Sequence, residues 1–359
     1  MTTRTVLAAL SAAAMMPNLA SAAWSETTYT KQVNGVEWKF LIDEEAHTAA
    51  LGLTQSAGSS GEAATTEPLS GKVIVPEAFM IDGVSYRVVN IGNRAFANSR
   101  DYGDITALTF PGGIEQVWDA VFYNYNSIES ICFKGPVTVA AGTQETVTLS
   151  GAGLQSKSTK GTPSIKTVFV GPHVKHSTSG SNDFIEFKRA GGCTYFFPHN
   201  DDGNDWPSTK VGGTNPNVIY YGPDEELDFK MGETTLTATV RTANALTNVL
   251  NHVATFKNDF GLDTKINVTN NIEVAADLIT AENMQYATFN SLVLKVTTQE
   301  QLTGILSVIP DSVPLAIDAS DAKVELTLPQ GREIYVRVSA EGRQGKYTPK
   351  INGLMITFH

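Results

Sequence analysis

Apolar and polar residues alternate from Val36 to Ile42, directly after the turn pair Asn34-Gly35, which predicts a half-buried strand in an N-terminal hairpin. Residues 54–67 are Ser, Gly, Ala and Thr with almost no large apolar side chain, and are expected to form a loop. From Gly71 the pattern shortens. Lys72 to Val75 reads as a strand stopped by Pro76, Asp82-Gly83 turns the chain, and Val84 to Val88 returns it. Beyond Gly222-Pro223 the pattern changes again. Thr235 to Val240 alternates as a strand, then Leu246, Val249, Leu250 and Val253 fall on one helix face. Asn290 to Val296 reads as another strand. Thr298-Gln299-Glu300-Gln301 has capping-box form ahead of a second helical stripe, Leu302, Ile305, Leu306 and Ile309, which Pro310 stops. Strands are expected at 324–328, 334–338 and 354–358, with residues 341–346 as the turn between the last two.

Between these ends the chain repeats itself. Ile105-x-x-Leu108-x-Phe110 recurs as Ile128-x-x-Ile131-x-Phe133, 23 residues on (105 to 128), and again as Ile165-x-x-Val168-x-Val170. A second piece, Ile91-Gly92-Asn93-Arg94-Ala95-Phe96, recurs 26 residues on as Val117 to Phe122. The last two apolar positions of each strand copy lie two apart, so both point into one core. A single coil cannot bury that stripe; stacked coils do. A period of roughly 20–29 residues with this strand pattern predicts a leucine-rich repeat solenoid. Phe96 and Phe122 are expected to fill its convex side, with Ala95 and Val121 leaving room for the rings. Cys193 to Pro198 is a last degenerate strand and Asn217 to Tyr221 closes the region. The Ser/Thr/Gly/Lys-rich segment 139–163 is an inserted loop with a strand near Thr146 to Leu149, and 175–182 has the same character.

The run Val88 to Asn98 followed by Ile105 to Pro111 resembles the BspA-like leucine-rich repeats of bacterial surface and secreted proteins, whose signature is an I-G-x-x-A-F core and then a strand ending in proline. The resemblance covers residues 71–172. It weakens in the second copy, where Trp118 replaces Gly92 and Val121 replaces Ala95, and the third copy is interrupted after Val137. Membership implies a non-catalytic protein that binds other proteins or host surfaces. The fold class expected is a β-rich leucine-rich repeat solenoid with an N-terminal β cap, followed by an α+β domain. The divisions are a signal peptide at 1–22, a cap and loop at 23–67, the repeat region at 68–221 and the α+β domain at 222–359.

Composition fits this plan. The chain has 359 residues, 42% apolar and 18% charged, so two globular domains are expected. A net charge of −11 without a basic patch argues against nucleic acid and anionic lipid as partners. Arg4, the apolar run Val6 to Met16, Pro17 and Ala20-Ser21-Ala22 stand in the order of a secretory leader, which predicts export and cleavage after Ala22. The run is too short for a permanent anchor, which takes about 20 residues. Losing Arg4 leaves 25 basic side chains against 37 acidic, a charge of −12. Cys132 and Cys193 are expected to be small apolar packing residues, although export permits a bridge.

Chemistry is sparse. His173-x-x-His176 offers two nitrogen ligands with no third at zinc spacing. Asn200 to Asp205 is oxygen-rich but has no Gly at the sixth loop position, and Val211 stands at the twelfth. No nucleophile elbow, Walker loop or dinucleotide fingerprint occurs. Neither a cofactor nor a metal is expected. Trp118, Tyr123 and Tyr125 cluster near one repeat as possible stacking residues. The first place to seek a partner is the outward strand face, where alternation puts Thr109, Cys132 and Phe169, flanked by Glu129 and Lys166. Phe169 is the expected anchor, unless loops or the C-terminal domain cover it. The partner expected is a protein or a host surface molecule. A glycan ligand, an enzyme site in the C-terminal domain and self-association remain alternatives.

Overall fold

The computed structural model describes residues 23–53, 62–96, 105–117, 121, 127–136, 147–149, 165–176, 192–199, 217–268, 273–275, 278–289, 292–310, 312–313, 315–318, 334–340, 343–350 and 353–357. The leader expected at 1–22, Trp118, Phe122, Tyr123, Tyr125, residues 200–205 and the strand expected at 324–328 lie outside them. The described chain is β-rich, with twenty-four strands and four helices.

Strands β1 (Tyr29–Val33) and β2 (Val36–Asp43) form the expected hairpin, and β3 (Thr48–Leu51), not expected, pairs with β2 beside it. Asn34 and Gly35 both take positive φ (53° and 80°), as the tight turn joining β1 to β2 requires. After β4 (Gly71–Ile74), Asp82 and Gly83 (49° and 84°) turn β5 (Ala78–Ile81) back into β6 (Val84–Ile91) in the same way. Strand β3 runs parallel to β6. The segment read as a plain loop is partly packed: Ala64 is fully buried and Thr65 bridges Trp38. Its small side chain is what lets Ala64 sit so close to the sheet.

The centre is a six-stranded parallel sheet. Its members are β4, β7 (Ile105–Phe110), β9 (Ser130–Phe133), β11 (Thr167–Val170), β13 (Thr194–Pro198) and β14 (Asn217–Tyr221), stacked in chain order. Leu108 lies beside Ile131, a shift of 23 residues, and Ile131 lies beside Val168. On another side of the chain β6 pairs with β8 (Gln116–Val117) and puts Ile91 beside Val117, the 26-residue shift of the sequence repeat. The strand expected in the inserted segment is β10 (Val147–Leu149), parallel to β12 (Val174–His176).

One face of the parallel sheet holds Leu108, Ile131, Val168 and Tyr195 in a core shared with the N-terminal sheet. Phe96 meets Trp38 and Phe110 edge-on there, with centroids 6.5 and 6.0 Å apart. The glycine of the I-G-x-x-A-F motif has a steric role. A Cβ on Gly92 would stand 2.2 Å from the carbonyl oxygen of Gly52, so only glycine permits this approach of two backbone segments. Gly52 is as tightly placed against Ala95, the small residue of the same motif.

The C-terminal region starts with β15 (Leu227–Met231), antiparallel to β16 (Thr235–Val240). Helices α1 (Ala243–Leu250) and α2 (Val253–Asn258) lead to β17 (Asp263–Val268), which is parallel to β16. Next come β18 (Glu273–Ala275), α3 (Ala281–Tyr286), β19 (Ala287–Phe289) and β20 (Leu292–Lys295). Strand β19 adds parallel to β17, and β20 parallel to β18. Helix α4 (Gln299–Val308) carries the expected capping box, Thr298 with Gln301, and connects β20 to the parallel β21 (Leu315–Asp318). Then β22 (Ile334–Ala340) pairs parallel to β21, and β23 (Arg343–Lys350) and β24 (Gly353–Thr357) finish the sheet antiparallel. The helices alternate with parallel strands instead of standing apart from them, which differs from the expected α+β arrangement. Residues 343–346, expected as a turn, are strand.

The two regions share one core. Cys132, Phe169, Phe196 and Tyr221, on the other face of the parallel sheet, pack with Phe229, Leu246, Phe256 and Phe260. Phe169 has ring centroids of Phe229, Phe256, Tyr221 and Phe260 at 5.4, 5.5, 6.0 and 6.5 Å. Truncation there opens a cavity lined by both regions. Phe169→Ala is expected to cost about 3–5 kcal/mol in denaturant unfolding. A loss below about 1 kcal/mol would mean that the seam is loosely packed.

Candidate functional site

The strand face expected to receive a partner is occupied from within the chain. Thr109 and Phe169 are both 0% exposed. The expectation that Phe169 anchors a partner is therefore corrected: α1, α2 and β15 supply the apolar surface that this face requires. Polar positions on the same face are also used. Asp259, just past α2, receives a hydrogen bond from Ser130 Oγ at 2.7 Å and lies 3.3 Å from Lys72 Nζ. Thr109 Oγ1 donates to the Asp259 backbone oxygen at 3.5 Å. Glu129 and Lys166 behave differently. They sit side by side at the strand entrances, form an ion pair at 2.8 Å, and keep side-chain exposures of 44% and 67%. Of the four residues proposed from the sequence, only this pair remains on the surface. Its exposure makes the pair worth little to stability.

Cys132 and Cys193 are buried and free. Burial pushes both thiols up to about 12, so neither is a thiolate at neutral pH and both act as small packing groups. No cluster of three metal-ligating side chains occurs among the described residues. No helix among them is long and apolar enough to cross a membrane.

A cleft of about 150 Å³ opens where the carboxyl ends of β11, β13 and β14 meet the edge strand β15. A proline stands at or just beyond the end of each of β11, β13 and β14 there: Gly171-Pro172-His173, Pro198-His199 and Gly222-Pro223. Proline has no N–H to donate to the ladder, so the strands end near these residues, which together form a rim. His173 holds a positive φ of 63°, which sends the chain abruptly from β11 into β12. Asp228 and Lys230 face the cleft from β15, where the alternating Leu227, Phe229 and Met231 are buried. His199 lies 3.6 Å from Glu225. Burial lowers the pKa of His173, opposed by the Asp228 charge, and raises that of Asp228, opposed first by the Arg241 and Lys230 charges. The histidine appears in the sequence reading only as half of a weak metal pair, and the side chain of His176 lies outside the described residues. Asp228 and Lys230 are missed because nothing local says that β15 returns beside the strand ends. The recurring proline after each strand is the available signal.

No protein-family model matches the chain, and no curated protein matches it. Among solved structures, the crystal structure of the pneumococcal vaccine antigen PcpA is similar, with 11% identity over 89% of this chain and 95% of that one, at a TM-score of 0.24. A likeness at that level carries no argument about fold or function.

His252 lies on the seam itself. Its ring meets Phe196 edge-on at 5.0 Å and its Nδ1 is 2.8 Å from the Asn248 carbonyl oxygen. Desolvation lowers its pKa below the ordinary 6.5. The unfolded chain therefore takes up protons at His252 and His173 first, and their stability contribution is whole above about pH 6.5 and declines as pH falls below it. Asp228, raised above its ordinary 3.8, has the opposite sign: it costs stability as pH rises past that value, and acidification relieves the cost. Unfolding free energy should thus fall between pH 7 and pH 5, and His252→Gln should flatten that slope. An unchanged slope in the variant would remove His252 from the account.

Proposed function

We propose that this chain is an exported bacterial protein that works by binding, built on a short BspA-like leucine-rich repeat array whose strand face is closed by the C-terminal region. The observation that carries the reading is the stacking of six parallel strands in chain order, with register shifts that repeat those of the sequence motif. The close contact at Gly92 supports it by giving the I-G-x-x-A-F signature a steric reason. Export rests on the leader pattern at 1–22. Because apolar aromatic residues fill the strand face, a partner is met on the strand-entrance flank near Glu129 and Lys166, or at the strand ends. The acidic surface favours a partner that is basic or neutral.

The test is capture by residues 23–359 on an array of extracellular proteins beside a glycan array. Saturable binding to a protein, weakened by Lys166→Glu with the thermal midpoint unchanged, is the expected result. Phe169→Ala is unsuitable as a binding probe, since its effect is on folding. Binding to glycans alone would replace the protein partner with a carbohydrate one. Silence on both arrays would overturn the reading.

A further inference from the structure

Residues 23–25 are tied to the end of β2. Ser25 N–H donates to the Ile42 carbonyl oxygen at 2.8 Å, and Ile42 N–H donates to Ser25 Oγ at 3.1 Å. Trp24 packs on Leu41, Ala50 and Leu53, a small apolar cluster separate from the main core. Leu41 alternates with Phe40 and Ile42, which point into the main core, so Trp24 covers the opposite face of the N-terminal sheet. Next to it the Ala23 N–H donates to Asp43 Oδ2 at 3.1 Å.

The placement of Asp43 suits a positive partner. Its side chain is only 6% exposed, and a buried carboxylate costs stability unless it is paired. Oδ1 already accepts from the Glu45 and Ala46 amides, at 3.0 and 2.9 Å, in the turn to β3. The turn therefore uses one oxygen and leaves the other to Ala23. Among the described residues, no basic side chain forms an ion pair with Asp43.

The next step rests on the export reading, in which a signal peptidase cleaves after Ala22. Water adds across the Ala22–Ala23 peptide bond. Ala22 leaves with the new carboxylate, and Ala23 keeps its nitrogen as an α-ammonium. A hydrogen bond with one ionised partner becomes one with two.

We infer that removal of the leader completes the N-terminal cap: the new α-ammonium of Ala23 pairs with Asp43 and holds Trp24 over Leu41, Ala50 and Leu53. The test compares the chain 23–359 with the same chain acetylated at Ala23, which keeps an N–H donor and loses the charge. Hydrogen exchange at the Ser25 and Ile42 amides should be about threefold or more faster in the acetylated chain. Competitive labelling of the α-amine at about pH 7.5 is the second readout, since an ion pair keeps the amine protonated and unreactive. The amine should react about threefold or more slowly than it does in Asp43→Asn. Asparagine keeps an acceptor for the Glu45 and Ala46 amides, so that variant retains the turn. Equal exchange with and without the acetyl group, or equal labelling in the two chains, would overturn the ion pair. The first residue of the secreted chain, read by mass spectrometry, tests the export reading separately. Ala23 is the expected start. Any other start, or a retained leader, would overturn the processing step even where the chain 23–359 forms the ion pair.

Discussion

Phe169 and Phe196, side by side on adjacent parallel strands, need apolar cover, and Phe229, Phe256 and Phe260 provide it. Much of the rest of the molecule follows from this contact. The six-stranded sheet becomes buried on both faces in its middle, which is the usual condition of parallel strands. The sheet then divides two cores, one running back to the N-terminal cap and one running forward to α4 and β21. Neither region keeps a complete core without this sheet. Asp259 adds direction to an otherwise undirected apolar contact, because its bonds to Ser130 and Lys72 fix the end of α2 against particular strands.

A closed strand face changes where function can reside. Open repeat arrays offer rows of outward side chains on a concave surface. In this chain the outward row Thr109, Cys132 and Phe169 supports the fold, and polar or charged groups reach solvent at the strand entrances and the strand exits. At the entrances Glu129 and Lys166 form an exposed, screened pair. At the exits the proline turns, His173, Asp228 and Lys230 meet in a defined cleft with perturbed protonation. Perturbed titrations in a cleft mark functional sites more often than isolated surface pairs do.

The stacking of β7 on β9 and of β6 on β8 was legible in the sequence, since a repeated apolar spacing leaves little freedom in register. The turns at Asn34-Gly35 and Asp82-Gly83 and the capping box at Thr298 were legible for the same reason: local chemistry alone decides them. The seam was not. Thr109, Cys132 and Phe169 form an outward row of mixed polarity, which suits either solvent or a second layer. Only the long-range packing of α1 and α2 decides between them. Strands β19 and β21 are three and four residues long, too short for a sustained alternation. Strand β17 does alternate, Thr264 and Ile266 being buried beside exposed Asp263 and Lys265, so its signal was present in the sequence and was passed over. The burial of Ala64 is not legible in its stretch, because smallness, usually a sign of exposure there, here serves close packing against the sheet. The cleft depends on the return of β15 beside β14, and no residue pattern near Asp228 announces that return.

Native-state hydrogen exchange on the full chain tests the central claim, that the parallel sheet and the C-terminal helices are one cooperative unit. The account predicts that amides of β9 and β11 and those of α1 and α2 exchange with closely similar opening free energies, and that Phe169→Ala lowers all of them together. Helices that open freely while β9 and β11 stay protected would contradict it, and would return the strand face to the surface as a place to bind a partner.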